Sequence, residues 1–138
     1  MPNWAMGDVS ITGTRTEVLA FSDRFIADDA ESTVPGKKYF ARSFVDIPRK
    51  TLHGDIEDFF RHAAEDEERT MSLLVTFAWS AMSCLIDGYP QHNTKDCITL
   101  AEACVEDHVS VEIHTSETGM CFEEEITCDK SGFIINVE

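Results

Sequence analysis

Leu73-Leu74-Val75-Thr76-Phe77-Ala78-Trp79 is the stretch from which the fold is read. Val75, Phe77 and Trp79 alternate with the smaller Leu74, Thr76 and Ala78. A period of two, rich in β-branched and aromatic residues, predicts a strand with a heavy face and a light face. Apolar residues on both faces place such a strand in the middle of a sheet with other elements packed on it.

Downstream, residues 80–91 carry the breakers Gly88 and Pro90 and read as irregular. Asn93 or Thr94 then caps a helix running to about residue 107, with Cys97, Ile98, Ala101, Cys104 and Val105 on its apolar face. Cys97 and Cys104 stand seven apart, about 10 Å of helical rise, which is too long for one ion to take both; packing explains them. Next, Val109, Val111 and Ile113 alternate with Ser110, Glu112 and His114. Ser116-Glu117-Thr118-Gly119 and Asp129-Lys130-Ser131-Gly132 are hairpin turns with glycine where a positive φ is needed. With strands over residues 120–128 and 133–137 they make a three-stranded antiparallel meander. In its last strand Phe133, Ile135 and Val137 share a face.

Upstream, residues 55–69 predict a helix with Ile56, Phe59, Phe60 and Ala63 apolar and seven acids on the remaining face. The run Glu65-Asp66-Glu67-Glu68 repels itself and belongs at an exposed end. Residues 38–47, after the Pro35-Gly36 turn, predict a strand with Tyr39, Phe44, Val45 and Ile47 apolar, closed by Pro48. Lys37, Lys38, Arg42 and Arg49 make this the basic region of the chain. Thr14-x-x-Glu17 is a capping box that opens a helix over residues 15–27, striped by Val18, Leu19, Phe21, Phe25 and Ile26. Residues 4–12 predict the first strand, ended by Gly13. Gly13 marks no phosphate site, because the turn has neither a glycine-rich fingerprint nor a lysine.

The order strand, helix, strand, helix, strand, helix and three strands predicts one α+β domain over residues 1–138. Setting aside the acidic helix, it reads as a ferredoxin-like βαββαβ antiparallel sheet with helices on one face and a C-terminal β-hairpin extension. The word describes topology alone, since an iron–sulfur cluster needs closely spaced cysteine ligands that this chain lacks.

Several short motifs also suggest a family. Met1-Pro2-Asn3-Trp4 with Val9-x-Ile11-x-Gly13, then Phe77-Ala78-Trp79-Ser80, Gly88-Tyr89-Pro90 and Glu117-x-Gly119-Met120-x-Phe122, together resemble the small YubB-type bacterial proteins carried on plasmids and phages. The resemblance implies a ferredoxin-like domain and a mobile-element context. It brings with it no assigned activity and no catalytic residues.

Charge is the unusual global feature. Residues 1–50 hold 7 acidic and 7 basic side chains, and residues 51–138 hold 19 acidic and 4 basic, so the whole net charge of −15 lies in the later part. Such a surface repels nucleic acid and anionic membranes and suits a basic protein partner, a cation, or solubility alone. No apolar run approaches the roughly 18 residues of a membrane span, and no signal peptide is read, so the expected location is the cytoplasm. Five cysteines without a Cys-x-x-Cys read as free, buried thiols in a reducing compartment.

No catalytic, cofactor or metal residue is assigned. The candidate partner-binding face consists of Glu65, Asp66, Glu67, Glu68, Glu112, Glu123 and Glu125. Glu112, His114, Glu123 and Glu125 carry oxygen and imidazole ligands, but a solvated sheet face is the commoner outcome for such residues. His53 and His62 lack the four-residue helical spacing of a zinc pair.

The favoured function is a non-catalytic accessory module that binds another protein, with a homo-oligomer allowed. The alternatives are an acidic DNA mimic that blocks a nucleic-acid-binding or defence protein, and an enzyme built on Cys121, His108, His114 and nearby glutamates. Trp4 and Trp79 read as core aromatics rather than stacking platforms.

Overall fold

The computed structural model of the chain describes residues 4–25, 40, 43–45, 47–78, 81, 98–117 and 122–137. In chain order the elements are β1 (Trp4–Gly13), α1 (Arg15–Ser22), a 3-10 turn (Asp23–Phe25), β2 (Ser43–Phe44), α2 (Arg49–Phe59), β3 (Arg69–Ala78), α3 (Leu100–Asp107), β4 (Ser110–Glu117), β5 (Phe122–Cys128) and β6 (Ile134–Val137). The class is α+β. The strands form one open sheet in the order β2-β3-β1-β4-β5-β6, and every neighbouring pair is antiparallel. β2 contributes only two residues.

The alternation read at residues 73–79 decides which side of the sheet is dry. Leu73, Val75 and Phe77 are buried, while Leu74 between them is 69% exposed. β1 and β4 keep the same parity, burying Val9, Ile11, Val111 and Ile113. Those side chains join Val18 and Phe21 of α1, Leu52 and Ile56 of α2, and Leu100, Ala103 and Cys104 of α3 in a single core. An aromatic group fills it: the Phe25 ring lies 4.7 Å from that of Phe40 and 6.5 Å from that of Phe77, centroid to centroid.

The expectation of packing on both faces of β3 is therefore corrected. Leu74 sits between Ser72 and Thr76 and opposite Asp8, and an antiparallel sheet can leave such a polar face in water.

The two N-terminal elements follow the sequence reading. Thr14 accepts from the Glu17 N–H at 3.4 Å, and the Glu17 carboxylate accepts from the Thr14 N–H at 2.9 Å. α1 passes into the 3-10 turn at Asp23, inside the expected helix, whose residues 26–27 lie outside the described residues.

Three boundaries differ. The second helix spans Arg49–Phe59, not residues 55–69. Pro48 precedes its first turn, and His62, at φ +69°, is one of two non-glycine residues with positive φ among those described. Continuing the helix would put Glu65 to Glu68 at its C-terminal end, where the helix dipole disfavours negative charge. Of the expected second strand, Ser43–Phe44 are strand among the described residues and Phe40, Val45 and Ile47 are not, while residues 38, 39, 41, 42 and 46 lie outside the described set.

The third helix starts at Leu100 rather than beyond Asn93 or Thr94, because Thr99, in extended backbone, and Glu102 form a second capping box, and Ile98 is not helical. Residues 91–97, with both expected caps and Cys97, lie outside the described residues, as do Trp79 and most of residues 80–91.

The C-terminal meander forms in the expected order, but Ser116 and Glu117 belong to β4 rather than to the first turn, β6 begins at Ile134 rather than Phe133, and residues 118–121 lie outside the described residues. Gly132 adopts φ +86°, and Asp129 Oδ1 accepts from the backbone N–H groups of Ser131 and Phe133, which fixes the β5–β6 turn. A buried ion pair ties the helical layer together: Arg24 Nε and Nη2 donate to Asp107 Oδ2 and Oδ1 at 2.8 and 3.1 Å. Among the described residues no helix is long and apolar enough to cross a membrane.

Candidate functional site

The alternation that buries one face sets the polar residues of every strand on the other. Register places them in rows across the sheet. Leu74, Asp8, His114 and Glu125 stand side by side on β3, β1, β4 and β5. The next row is Ser72, Ser10, Glu112, Thr127 and Ile135. On the other side lies Thr76, Met6, Ser116 and Glu123. Among the described residues the strands put no Lys or Arg on this open face. Met6, Leu74 and Ile135 are large exposed apolar groups of its strands, and Phe133 stands beside Ile135 at its edge.

Glycine has a particular use here. A Cβ at Gly7 would lie 2.1 Å from the His114 carbonyl oxygen and 2.7 Å from Thr115 Cα. Only the absence of that Cβ lets β1 approach β4 so closely directly beside His114.

The row converges on one imidazole. His114 Nε2 lies 2.9 Å from Glu112 Oε1 and 3.9 Å from Glu125 Oε1. One ligand atom from each of Glu112, His114 and Glu125 falls within 4.8 Å of the others. All three side chains are about half exposed, at 53–54%. The hydrogen bond to Glu112 holds the pKa of the imidazole above the ordinary histidine value; desolvation opposes it, and the charges of Glu125, Glu112 and Asp8 add to the rise. A shallow groove of about 510 Å³ runs from this cluster past Met6, Asp8, Ser116 and Glu123. A second, of about 350 Å³, continues along the same face past Ser10, Thr12, Thr70, Thr127 and Ile135.

The seven acids expected to form a partner-binding face fall into two groups. Glu112, Glu123 and Glu125 share the open face, with Glu123 one row away from the imidazole. Glu65, Asp66, Glu67 and Glu68 are exposed in the connection between α2 and β3, beside the end of the sheet where Arg69 pairs with Gly13. Along β1 that row is three positions from the Ser10 row of Glu112 and seven from the Met6 row of Glu123, roughly 10 and 23 Å at the rise of a strand. Glu67 accepts from Arg69 Nε at 2.7 Å, which holds its carboxyl below the usual range, and Glu68 pairs with Lys130 Nζ.

Asp8 belongs to the row and was not singled out in sequence, because the single acid in an otherwise neutral strand gives no signal until β4 is placed beside it.

Of the residues considered for catalysis, His114 stands with Glu112 and Glu125. His108 caps α3 in the left-handed conformation and lies outside the row, and Cys121 is outside the described residues. Cys104 and Cys128 are free and buried, as expected of core thiols. Their mutual hydrogen bond and burial push the Cys104 thiol well up, away from the thiolate form.

On the covered side Glu124 is buried, yet it accepts from Thr115 Oγ1 at 2.8 Å and from the Ala81 N–H at 2.9 Å. It anchors the chain after β3 to the sheet.

No family model, curated protein or solved structure matches this chain.

Proposed function

We propose that the protein is a non-catalytic interaction module whose open sheet face receives a cationic segment of another protein. The observation that carries this is the composition of that face. Asp8, Glu112, Glu123 and Glu125 stand on three adjacent strands, with no strand Lys or Arg among them in the described residues and with Met6 and Leu74 exposed at their side. Carboxylates give a basic partner orientation and encounter rate, while exposed apolar side chains give it contact area.

The domain that presents the face is proposed to be ferredoxin-like, with β5 and β6 as an extension. The order β4-β1-β3-β2, antiparallel throughout, and the helices α1 and α3 between β1 and β2 and between β3 and β4 support this. Membership of the YubB-type group belongs to the same proposal. Its support is that Val9, Ile11 and Gly13 lie in β1 and that the helix after them, α1, bears Val18 and Phe21. Bacterial origin from a mobile element and a cytoplasmic site of action are proposals of the same standing. The DNA-mimic reading draws less support, because Glu67 and Glu68 are paired with Arg69 and Lys130.

The test compares three baits in bacterial lysate: wild type, Asp8→Asn/Glu112→Gln/Glu123→Gln/Glu125→Gln, and a control altered on α2, Glu57→Gln/Asp58→Asn. A basic protein held by wild type and control, lost by the open-face variant, and released as salt rises through the screening range supports the proposal. Equal retention by all three, or retention of nothing, overturns it.

A further inference from the structure

We propose that Glu112, His114 and Glu125 form a binding site for one divalent cation of the zinc class. The donor set chooses the class. One imidazole nitrogen with two carboxylate oxygens suits Zn²⁺ and its borderline neighbours, whereas Ca²⁺ and Mg²⁺ favour shells of oxygen alone. The imidazole also separates this cluster from a plain acidic patch, since it adds a directional, neutral donor between two carboxylates that come from different strands.

Geometry agrees with the chemistry. Metal–ligand bonds of about 2.0–2.2 Å in a tetrahedron hold ligand atoms roughly 3.3 Å apart. The observed separations of 2.9 Å and 3.9 Å from His114 Nε2 lie on either side of that value, and the whole set stays within 4.8 Å. Closing on an ion therefore requires shifts of about an ångström at the ends of two half-exposed glutamates, which three side-chain torsions can supply.

The backbones need not move. β4 lies between β1 and β5 in the sheet, and the buried Ile113 and Ile126 pin both ligand-bearing strands from the covered side. A site on laddered strands keeps its ligands positioned better than one on a loop.

Without a cation the Nε2 proton holds Glu112. The ion would take that proton's place on Nε2 and would answer the negative charge of both carboxylates at once. Asp8, across the ladder from His114, adds attraction for a dication. Three protein ligands leave further positions for water, so exchange with solvent is expected. This inference needs only the three side chains and does not rest on the partner reading.

The test is a titration of the reduced, metal-free full chain with Zn²⁺ alone, followed by ¹H–¹⁵N spectra that include the imidazole nitrogens. The expected result is one equivalent of Zn²⁺ shifting His114 Nε2 and the amides of Glu112 and Glu125. His114→Gln and Glu125→Gln should each weaken it at least tenfold, and the same concentration of Mg²⁺ should leave the imidazole where it was. Both variants alter half-exposed side chains, and unchanged melting temperatures verify that they fold. Shifts centred on the cysteines or on another histidine, affinity unchanged in both variants, or no Zn²⁺ binding at millimolar concentration would each overturn the proposal.

Discussion

The two faces of this sheet are made by the same strands, and they treat polar groups in opposite ways. On the covered side the buried charged groups have their partners in place, and the Ser22 hydroxyl is the one buried side-chain polar atom without a hydrogen-bond partner among the described residues. Glu124 has the Thr115 hydroxyl and the Ala81 N–H, and Arg24 has both oxygens of Asp107. On the open face the charged groups crowd against one another, and water bears most of the cost. Burial makes an unpaired group expensive, so the covered face specifies the fold; exposure makes repulsion tolerable, so the open face is free to serve binding.

The strongest way to break this contrast uses a single strand. Phe77→Ala removes a fully buried ring from the aromatic group and should cost about 3–5 kcal/mol. Leu74→Ala, three residues earlier on the open face, should change stability by no more than about 0.5 kcal/mol. Urea denaturation of the two variants measures both. Comparable losses would mean that something covers the open face and that the division into two faces is wrong.

The next effect tests whether polar groups on the covered side depend on their partners. Asp107→Ala leaves the buried Arg24 guanidinium with the more distant Glu106 carboxylate at 3.4 Å. A loss of about 3 kcal/mol is expected, from a buried charge that has lost its two best hydrogen bonds rather than from the pair's own worth. The double change Arg24→Met/Asp107→Leu should recover much of it. A double variant as unstable as Asp107→Ala would show that the pair itself, and not the poorly compensated charge, carries the stability.

How much of this was legible in the sequence follows from the same contrast. The alternation at residues 73–79, 109–114 and 133–137 marked strands, because a period of two is written locally. Their assembly into an α+β sheet with a C-terminal meander could be read from element order. The helix ends could not be read as well. The Asp55 to Arg69 reading followed apolar spacing past Phe60, although the acids after it oppose the dipole of a helix ending there. Thr99-x-x-Glu102 carries the same capping signal that located α1 at Thr14, but an earlier Asn and Thr competed with it in sequence.

The site was half legible. Glu112, His114 and Glu125 were visible as open-face residues, but the convergence of Glu125 on His114 Nε2 depends on the exact register of the β4–β5 hairpin, and the place of Asp8 beside it on a register between strands far apart in the chain.

A smaller effect tests that capping signal directly. Thr99→Ala and Thr14→Ala each remove a side-chain oxygen that accepts from a first-turn N–H, and each should cost about 1 kcal/mol. Denaturation of both variants sharpens the comparison between the helical layer and the open face. A cost at Thr14 without one at Thr99 would return the start of α3 to the Asn93–Thr94 region.

The smallest expected effect belongs to the open face itself. In the metal-free protein the hydrogen bond to Glu112, with the nearby charges of Glu125 and Asp8, raises the folded-state pKa of His114. Protonated His114 therefore favours the folded protein. That contribution is complete below the unfolded value of about 6.5 and disappears as pH rises through the higher folded value. Because the side chain is half exposed, solvent screens the gain, and the change in melting temperature across this window should be slight. The titration of the His114 imidazole by NMR is the more sensitive readout. It should lie above that of an exposed histidine in the wild type and fall most of the way back in Glu112→Gln, with Glu125 and Asp8 sustaining the remainder. An ordinary titration in the wild type would mean that the 2.9 Å contact is not held in solution, and the open face would then be a scatter of solvated charges rather than an organised row.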